Sequence, residues 1–328
     1  MMLEDFHIHH YKEVSSTNEE ALDLIERGIS NETIIIADRQ TEGRGRTGKS
    51  WVSLEGNFHA SLAINLVHNN YLDKSPLPVS LRSVKLEFRN QEAWIPVSST
   101  GMTSDGTGIT VGLTSQVKDI SKLTEWTFVT ALAVGNTLLS LNFFNNQTHC
   151  DVISVLDTGI HTFSSRSRCQ STGMTKDRFI NDLNLQYKWP NDVLIDGEKI
   201  SGILLKKKSN SNWLIIGIGI NINHAPLPGT TCISNYGESV SHRDLLKELI
   251  INFNKLRKQW LFDGFYAIRE MWLKKAFKMN EQISVKLADK LYEGIFADID
   301  KSGKLVLQQK DGSLIYFDAG ELFIGNAL

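Results

Sequence analysis

The chain has 328 residues, and its 35 lysines and arginines against 37 aspartates and glutamates give a formal net charge of −2. This near balance argues against bulk attraction to nucleic acid or to membranes, although it leaves room for a local basic site. No segment approaches the roughly 18 uninterrupted apolar residues of a membrane span, and the start of the chain lacks the pattern of a signal peptide, so we expect a cytoplasmic protein.

The first part of the chain predicts a helix and two strands. The helix begins at Ser16 with capping-box spacing and ends at Gly28. Short apolar strands follow at 33–37 and 58–66, and a polar, Gly/Arg-rich loop at 38–49 separates them.

The middle of the chain has a different amino-acid composition. Stretches rich in Ser, Thr and Gly surround a pentapeptide, Ser-Thr-Gly-Met-Thr, that occurs at 99–103 and again at 171–175. We interpret 68–121 and 145–182 as surface inserts without catalytic duty, with an apolar helix at 123–141 between them. The alternative, that one insert is a docking surface, stays open.

The last part of the chain predicts strands, then helices, then a strand-rich tail. Asp196-Gly197 is a hairpin signal within the first group, and alternating apolar residues after position 280 favour a small β-barrel. The expected strands are 185–189, 193–195, 199–205, 213–222, 283–287, 292–299, 304–309 and 314–317, and the expected helices are 241–260 and 263–277.

One candidate functional motif is Gly-Arg-Gly-Arg-Thr-Gly-Lys-Ser-Trp at 43–51. Its glycines allow backbone N–H groups to approach an anion, and its cationic side chains supply positive charge. Residues 43–50 match the P-loop pattern, but five polar residues precede the motif and Gly56 disfavours a following helix. The alternatives are an anion-binding loop or a merely solvated basic loop.

A second motif is Lys-Trp-Pro-Asn-Asp at 188–192. A lysine at a strand end beside a rigid turn can stabilise a phosphoryl or carboxylate oxygen in a cleft. Taken alone, the pattern is equally typical of an edge lysine before an ordinary turn.

A third motif is Gly-Ile-Gly-Ile-Asn-Ile-Asn at 217–223. Small residues in a strand allow a ligand to approach the backbone, and Asn221 offers both a donor and an acceptor. A buried strand with a bulge would explain the same pattern, just as Ser16-Thr17-Asn18 is by default only a helix N-cap.

Together these motifs resemble, in order, those of biotin–protein ligases (biotin–[acetyl-CoA-carboxylase] ligases). The resemblance covers roughly residues 10–66, 123–144 and 183–328. It is carried by Ser16-Thr17-Asn18, Gln40, the Gly-Arg-Gly-Arg-Thr-Gly loop with Trp51, Lys188-Trp-Pro-Asn-Asp192, Lys199-Ile-Ser-Gly-Ile-Leu204 and Gly217-Ile-Gly-Ile-Asn221.

The resemblance implies an α+β fold, in which helices flank a mixed β-sheet like that of class II aminoacyl-tRNA synthetases. It places a catalytic biotin- and ATP-binding domain at 1–278, with the two inserts inside it, and an SH3-like β-barrel at 279–328. Because only about a dozen residues precede Ser16, we expect no helix-turn-helix domain and no DNA binding. Family members can pair through an exposed sheet edge, so a homodimer is possible.

The implied reaction has two steps. Biotin and ATP form biotinyl-5′-AMP, and a lysine of a biotin carboxyl carrier domain, from acetyl-CoA or propionyl-CoA carboxylase, then takes the biotinyl group. We expect Mg²⁺ to arrive mainly on the phosphates of ATP. No carboxylate cluster suggests a protein-held metal, and the three widely spaced cysteines predict neither a zinc site nor a disulfide framework.

The resemblance also assigns residues. Lys188 is the expected catalytic residue at the reacting carboxyl and phosphate, with Arg44 and Arg46 beside it. Residues expected to contact biotin or the nucleotide are Ser16, Thr17, Asn18, Gln40, Gly43, Arg44, Gly45, Arg46, Trp51, Lys188, Gly202, Gly219 and Asn221. The first four would line the biotin head-group pocket, the Gly/Arg loop would close over biotin and phosphate, and Trp51 would pack near the adenine.

Two other functions remain in competition. Lipoate ligases and octanoyl transferases share the fold and a lysine near an acyl carboxyl. A non-catalytic biotin-binding protein is the other alternative, although Lys188, Arg44 and Arg46 argue against it.

Overall fold

The computed structural model describes residues 2–3, 6–66, 83–88, 91–96, 123–141, 183–208, 211–237, 240–287, 290–318 and 321–324. Eight strands in these ranges form one sheet, in the order β1-β2-β3-β4-β10-β9-β8-β7. Their bounds are β1 (Met2–Leu3), β2 (Phe6–Val14), β3 (Thr33–Gln40), β4 (Phe58–Asn65), β7 (Leu185–Lys188), β8 (Asp192–Ile195), β9 (Glu198–Lys207) and β10 (Trp213–Ile220). Strands β2 and β3 are parallel and the other neighbours antiparallel, which confirms the predicted mixed sheet.

Helices cover both faces of this sheet. Helix α1 (Thr17–Glu26) buries Ala21 and Ile25 against one face. Helices α2 (Glu125–Ser140) and α3 (His242–Leu273) pack together on the other face, over the larger apolar core. The two helices predicted at 241–260 and 263–277 are one element with a break at Gly264, where φ is 75°. No helix of the described ranges is long and apolar enough to cross a membrane.

Strands β1 and β2 and one hairpin in the middle of the chain were not predicted. Strand β2 contains a histidine-rich sequence that reads as polar, yet it pairs along its length with the apolar strand β3. A hairpin of β5 (Ser83–Phe88) and β6 (Gln91–Pro96) lies within the predicted insert 68–121. Apart from that hairpin, both predicted inserts and both pentapeptide copies lie outside the described residues.

The C-terminal part forms a five-stranded antiparallel sheet. Its strands are β11 (Gln282–Leu287), β12 (Lys290–Ile299), β13 (Leu305–Gln308), β14 (Leu314–Phe317) and β15 (Glu321–Ile324), in the order β14-β13-β12-β11-β15. The antiparallel sheet confirms the strand-rich tail and adds β15 to the four predicted strands. Among the described residues, the edge strands β14 and β15 do not pair, so a closed SH3-like barrel stays a prediction.

The turn at 300–304, between β12 and β13, contacts residues outside the C-terminal sheet. The Trp189 indole donates to the Gly303 carbonyl at 3.2 Å, and the Thr124 hydroxyl donates to the Ser302 carbonyl at 3.2 Å. Nearby, the Arg269 guanidinium pairs with the Asp298 carboxylate. The turn therefore contacts the Lys-Trp-Pro-Asn-Asp segment and the start of α2.

Candidate active site

A cavity of about 570 Å³ opens on the sheet face that carries α1, beyond the N-terminus of that helix. It is lined by all the predicted site residues except Gly43, namely Ser16, Thr17, Asn18, Gln40, Arg44, Gly45, Arg46, Trp51, Lys188, Gly202, Gly219 and Asn221. Gly43 lies behind the wall, where a Cβ atom would approach the Trp51 carbonyl oxygen to 2.4 Å. The structure therefore brings together motifs that are far apart in the sequence.

One end of the cavity is lined by the uncharged hydrogen-bonding side chains of Ser16, Thr17, Asn18 and Gln40, and the fully buried Ser61 supports two of them. The Gln40 Oε1 atom accepts from the Thr17 backbone N–H at 2.9 Å and from the Thr17 hydroxyl at 3.1 Å. The Gln40 Nε2 atom donates to the Ser53 hydroxyl at 3.0 Å. The Ser61 Oγ atom lies 2.7 Å from Thr17 Oγ1 and 2.6 Å from Asn18 Oδ1. Alternating donors and acceptors of this kind suit a neutral polar ring.

Strand register explains how Ser61 reaches this place. Ser61 of β4 is opposite Gly217 of β10, so both residues point to the α1 face. A Cβ atom on Gly217 would lie 2.7 Å from Asn18 Oδ1, so a side chain there would displace Asn18. Sequence reasoning missed Ser61 because a serine inside a buried strand carries no signal of its own.

The Gly/Arg loop forms a small hairpin and not a P-loop. Arg44 is bridged to Ser50, and the Gly45 N–H donates to the Lys49 carbonyl at 2.7 Å across a 3₁₀ turn at 46–48. The next regular element is strand β4. The hairpin places Arg44 beside Glu19, at 2.9 Å, on the outer rim of the cavity.

The other end of the cavity is charged. Lys199 Nζ lies 2.7 Å from Asp192 Oδ1, and Arg46 also faces the Asp192 carboxylate. Burial lowers the pKa of the Arg46 guanidinium, and the charge of Asp192 opposes that shift. Asp192 Oδ1 is buried and has no hydrogen-bond donor among the described residues, so its contact with Lys199 is an ion pair without hydrogen-bond geometry.

Lys199 enters the cavity because of a β-bulge. Val193 pairs with Ser201 but Leu194 pairs with Lys199, which leaves Ile200 as the extra residue of β9. Ile200 is buried in the core, and Lys199 is turned to the same side as Leu194, into the cavity. The sequence alone does not reveal the bulge, and we identified Lys199 only as part of a motif.

Several site residues form one lateral row across the sheet. Lys188, Asp192, Gly202, Gly219 and His59 occupy successive paired positions on β7, β8, β9, β10 and β4. Directly opposed residues in antiparallel strands point to the same face. The catalytic lysine predicted from sequence therefore lies at one end of a row whose centre is two glycines.

The two central glycines, Gly202 and Gly219, form what we call the glycine shelf, on which the Trp51 indole rests. A Cβ atom on Gly219 would lie 2.4 Å from the indole, and one on Gly202 would lie 3.0 Å from it. The Lys199 ammonium lies 5.5 Å from the centre of the Trp51 ring, within cation–π range.

Asn221 lies at the cavity wall, but its polar groups are used within the protein. Its Nδ2 atom donates to the Thr231 carbonyl at 3.0 Å, and its Oδ1 atom accepts from Asn57 at 3.5 Å. The Asn57 Oδ1 atom in turn accepts three backbone N–H groups, those of residues 222, 223 and 224, at 3.0 Å each. Asn57, which sequence reasoning missed, organises the loop that follows β10.

Comparison with known proteins identifies the family of the chain. The model of the biotin/lipoate A/B protein ligase family matches residues 11–98 and 129–223. The chain belongs to this family. A second model, described as the biotin protein ligase C-terminal domain, matches residues 278–325.

Relatives in the family are distant in sequence. The bifunctional ligase/repressor BirA of Bacillus subtilis is 22% identical over 317 residues, which cover 93% of this chain and 70% of that protein. The biotin–[acetyl-CoA-carboxylase] ligase of Paracoccus denitrificans is 31% identical over 153 residues, which cover 43% of this chain and 63% of that protein. The chain thus aligns with less than two thirds of the Paracoccus relative.

Solved structures share the fold. A biotin protein ligase from Aquifex aeolicus, in complex with biotin and ATP, is similar with a TM-score of 0.60 at 20% identity, over 97% of each chain. The biotin protein ligase from Leishmania major, in complex with biotinyl-5-AMP, is similar with a TM-score of 0.52 at 19% identity, over 95% of this chain and 99% of that one.

Proposed function

We propose that this protein is an ATP-dependent biotin–protein ligase. The observation that carries the proposal is a single cavity with a neutral, hydrogen-bonding end at Thr17, Asn18 and Gln40 and a cationic end at Arg46, Lys188 and Lys199. A ligand with a polar uncharged ring at one end and a carboxylate beside phosphates at the other would match both ends. The names of the related proteins and the C-terminal family model support biotin as this ligand.

In the first step, a biotin carboxylate oxygen attacks the α-phosphorus of ATP, and the bond to the β-phosphate oxygen breaks to release pyrophosphate. Negative charge builds up on phosphoryl oxygens during this step. Lys188 would lie at the reacting carboxyl and α-phosphate, and Arg46 and Lys199 would neutralise the remaining phosphate charge. The half-buried Arg46 guanidinium acts more strongly there than it would in water.

In the second step, the ε-amine of an acceptor lysine attacks the carbonyl carbon of biotinyl-5′-AMP. An amide bond forms, AMP leaves with the phosphate oxygen, and the amine loses a proton to solvent. The mixed anhydride is prone to hydrolysis, so the cavity has to exclude water between the two steps. The Gly/Arg hairpin, which lies over one wall of the cavity, is placed for this task.

The finer features remain part of the proposal. The acceptor is a biotin carboxyl carrier domain of acetyl-CoA or propionyl-CoA carboxylase, and Mg²⁺ enters on the phosphates of ATP. The described residues contain no group of three His, Cys, Asp or Glu side chains arranged to hold a metal ion. The proposal also includes a cytoplasmic location and a homodimer. It further includes a domain boundary between residues 278 and 279, an SH3-like barrel after that boundary, and two inserts that take no part in catalysis.

Mass spectrometry of a purified carrier domain tests the function directly. Incubation with the protein, biotin and Mg·ATP should add one biotinyl group, and replacement of the acceptor lysine by arginine should abolish the addition. A parallel reaction with Lys188→Ala enzyme controls for biotinylation by a contaminant. Failure of the wild-type enzyme to modify any carrier domain, with biotin bound but no pyrophosphate released, would instead identify a biotin-binding protein.

A lipoate ligase is the second candidate, because the matching family model includes enzymes of both kinds. A reaction with equal concentrations of labelled biotin and labelled lipoate separates the two. We expect transfer of biotin alone, and transfer of lipoate alone would overturn the choice of substrate.

A further inference from the structure

His59 is a buried histidine that lies in the row of site residues and that no part of the proposed chemistry uses. It is 1% exposed on strand β4, and it is paired directly with Gly219 of the glycine shelf. The Trp51 indole N–H donates to His59 Nδ1 at 3.3 Å. The His59 Nε2 atom lies 3.4 Å from the Leu54 carbonyl oxygen.

These two contacts define the form of the imidazole. A carbonyl oxygen accepts and an indole N–H donates, so Nε2 carries the hydrogen and Nδ1 presents a lone pair. The pKa of His59 is lowered to about 4, mainly by burial and to a smaller extent by His242, although the hydrogen bond to Leu54 opposes the shift. The ring is therefore neutral at physiological pH, and each of its nitrogen atoms has one partner.

The same two contacts fix both ends of a short segment. Residues 51–54 connect the Gly/Arg hairpin to strand β4, and His59 holds the side chain of the first residue and the carbonyl of the last. The glycine shelf sets the height of the Trp51 ring above the sheet, because the ring is in van der Waals contact with it. A flat shelf alone leaves the ring free to slide, and the directional bond to His59 removes that freedom.

Resting on the proposed ligase function, we propose that His59 is a positioning residue, which holds the Trp51 indole over the glycine shelf and so shapes the nucleotide-binding part of the cavity. His59 acts through Trp51 and does not itself touch a substrate. The neutral biotin end, built from Thr17, Asn18 and Ser61, makes no contact with His59 among the hydrogen bonds of the described residues. The effect of His59 should therefore fall on the nucleotide and not on biotin.

The test compares two substitutions. His59→Gln keeps an acceptor and a donor in a side chain of similar length, whereas His59→Leu removes both. For His59→Leu we expect KM for ATP and the release rate of biotinyl-5′-AMP to rise by roughly three- to tenfold, the effect of one lost neutral hydrogen bond. The Kd for biotin should stay within about twofold of wild type, and His59→Gln should restore the wild-type values. Equal losses of biotin and ATP binding in His59→Leu would show a merely structural role and overturn the proposal.

A double-mutant cycle with Trp51→Phe isolates the contact. Phenylalanine keeps a ring over the shelf but cannot donate, so His59→Leu should have no further effect on ATP binding in this background. Additive effects of the two substitutions would contradict the inference. If His59→Leu does not fold, Trp51→Phe removes the same hydrogen bond from the other side, and wild-type values of KM and adenylate release in that variant would then overturn the inference.

An NMR measurement separates this inference from the proposed function. The indole N–H resonance of Trp51, assigned by its loss in Trp51→Phe, should exchange slowly with solvent in wild type and His59→Gln and faster in His59→Leu. This readout requires no turnover, so it tests the contact even if the wild-type protein forms no biotinyl-5′-AMP. Equal exchange rates in all three proteins would overturn the positioning role.

Discussion

The two ends of the cavity differ in the kind of polar group that they contain. At the neutral end, Thr17, Gln40 and Ser61 satisfy one another through short hydrogen bonds between uncharged groups. At the cationic end, Lys199 and Arg46 face a single carboxylate, Asp192, whose Oδ1 atom has no hydrogen-bond donor in the described structure.

The difference follows from the ligand that each end has to bind. Neutral donors and acceptors can be fixed in advance for a polar ring at little cost. Clustered cations repel one another until an anion arrives, and desolvating them is costly. Asp192 supplies a partner for these cations, and we expect phosphate oxygens to replace it when the nucleotide binds.

Lys188→Ala should cause the largest loss of activity of the four substitutions. We expect adenylate formation to fall by about 10³-fold, the scale seen when one preorganised stabilising group is removed from a transition state. Biotin binding should weaken only slightly, because the neutral end is intact. Pyrophosphate release and calorimetric titration with biotin measure the two effects. Lys255→Ala, on the exposed surface of α3, is the matched control, and a wild-type rate in Lys188→Ala would remove Lys188 from the reaction.

His59 marks the border between the two ends, as a titratable group that is kept neutral. Its pKa is lowered by burial from 6.5 to about 4. Between these values the unfolded chain binds a proton that the folded chain does not, so stability is full above about pH 6.5 and is lost as the pH falls towards 4. The expected loss from this group is about 3 kcal/mol.

Urea unfolding at pH 7 and pH 4.5 measures this loss. His59→Gln should be less sensitive to acid than wild type, because glutamine does not titrate. If wild type and His59→Gln lost equal stability on acidification, the histidine would not be the buried neutral group described here.

Ser61→Ala should damage the neutral end alone. Loss of the hydroxyl removes the 2.6 Å hydrogen bond that orients Asn18, which lines the neutral end, and a lost hydrogen bond of this kind should weaken biotin binding by roughly tenfold. We expect the Kd for biotin to rise and the turnover at saturating biotin to stay near wild type. Ser53→Ala, one hydrogen bond further from the cavity, is the control with a smaller expected effect. A fall in turnover with unchanged Kd would contradict the division of the cavity into two ends.

Lys199→Ala should have the smallest effect of the set. Its side chain is 30% exposed, so solvent screens its charge, and we expect KM for ATP to rise by about fivefold with unchanged biotin binding. Lys206→Ala is the matched control, since Lys206 lies on the same strand and pairs with Glu19 outside the cationic end. Equal effects of the two substitutions would show that the bulge at Ile200 does not direct a lysine to the nucleotide.

Much of the fold could be predicted from local patterns. The apolar strands β3, β4 and β10 and the helix α1 each carry their signal within a few residues, although Ser16 makes no side-chain capping hydrogen bond. Strand β2 was missed because its sequence is mostly polar and most of its side chains are not buried, so that only pairing with β3 defines it as a strand. Propensity is a weak guide where tertiary pairing decides the structure.

The site was predictable where its residues form compact motifs. Lys188 and Arg46 could be recognised from the glycines, proline and charged residues that neighbour them in the sequence. Ser61, His59 and Lys199 do not, because each becomes a site residue only through strand register or through a bulge. Register depends on pairing between distant segments, and a single-residue slip would turn each of these side chains to the opposite face.

The bond between Trp189 and Gly303 has a consequence for dissecting the protein. The residue next to Lys188 is held by a carbonyl from the C-terminal sheet, and Gly303 also packs against Phe128 of α2. A chain cut near residue 278 would lose this support and leave a buried indole without its acceptor. The two separately produced fragments, before and after residue 278, should therefore show ligase activity only when they reassociate. Ligase activity could then be controlled by adding or withholding the C-terminal fragment.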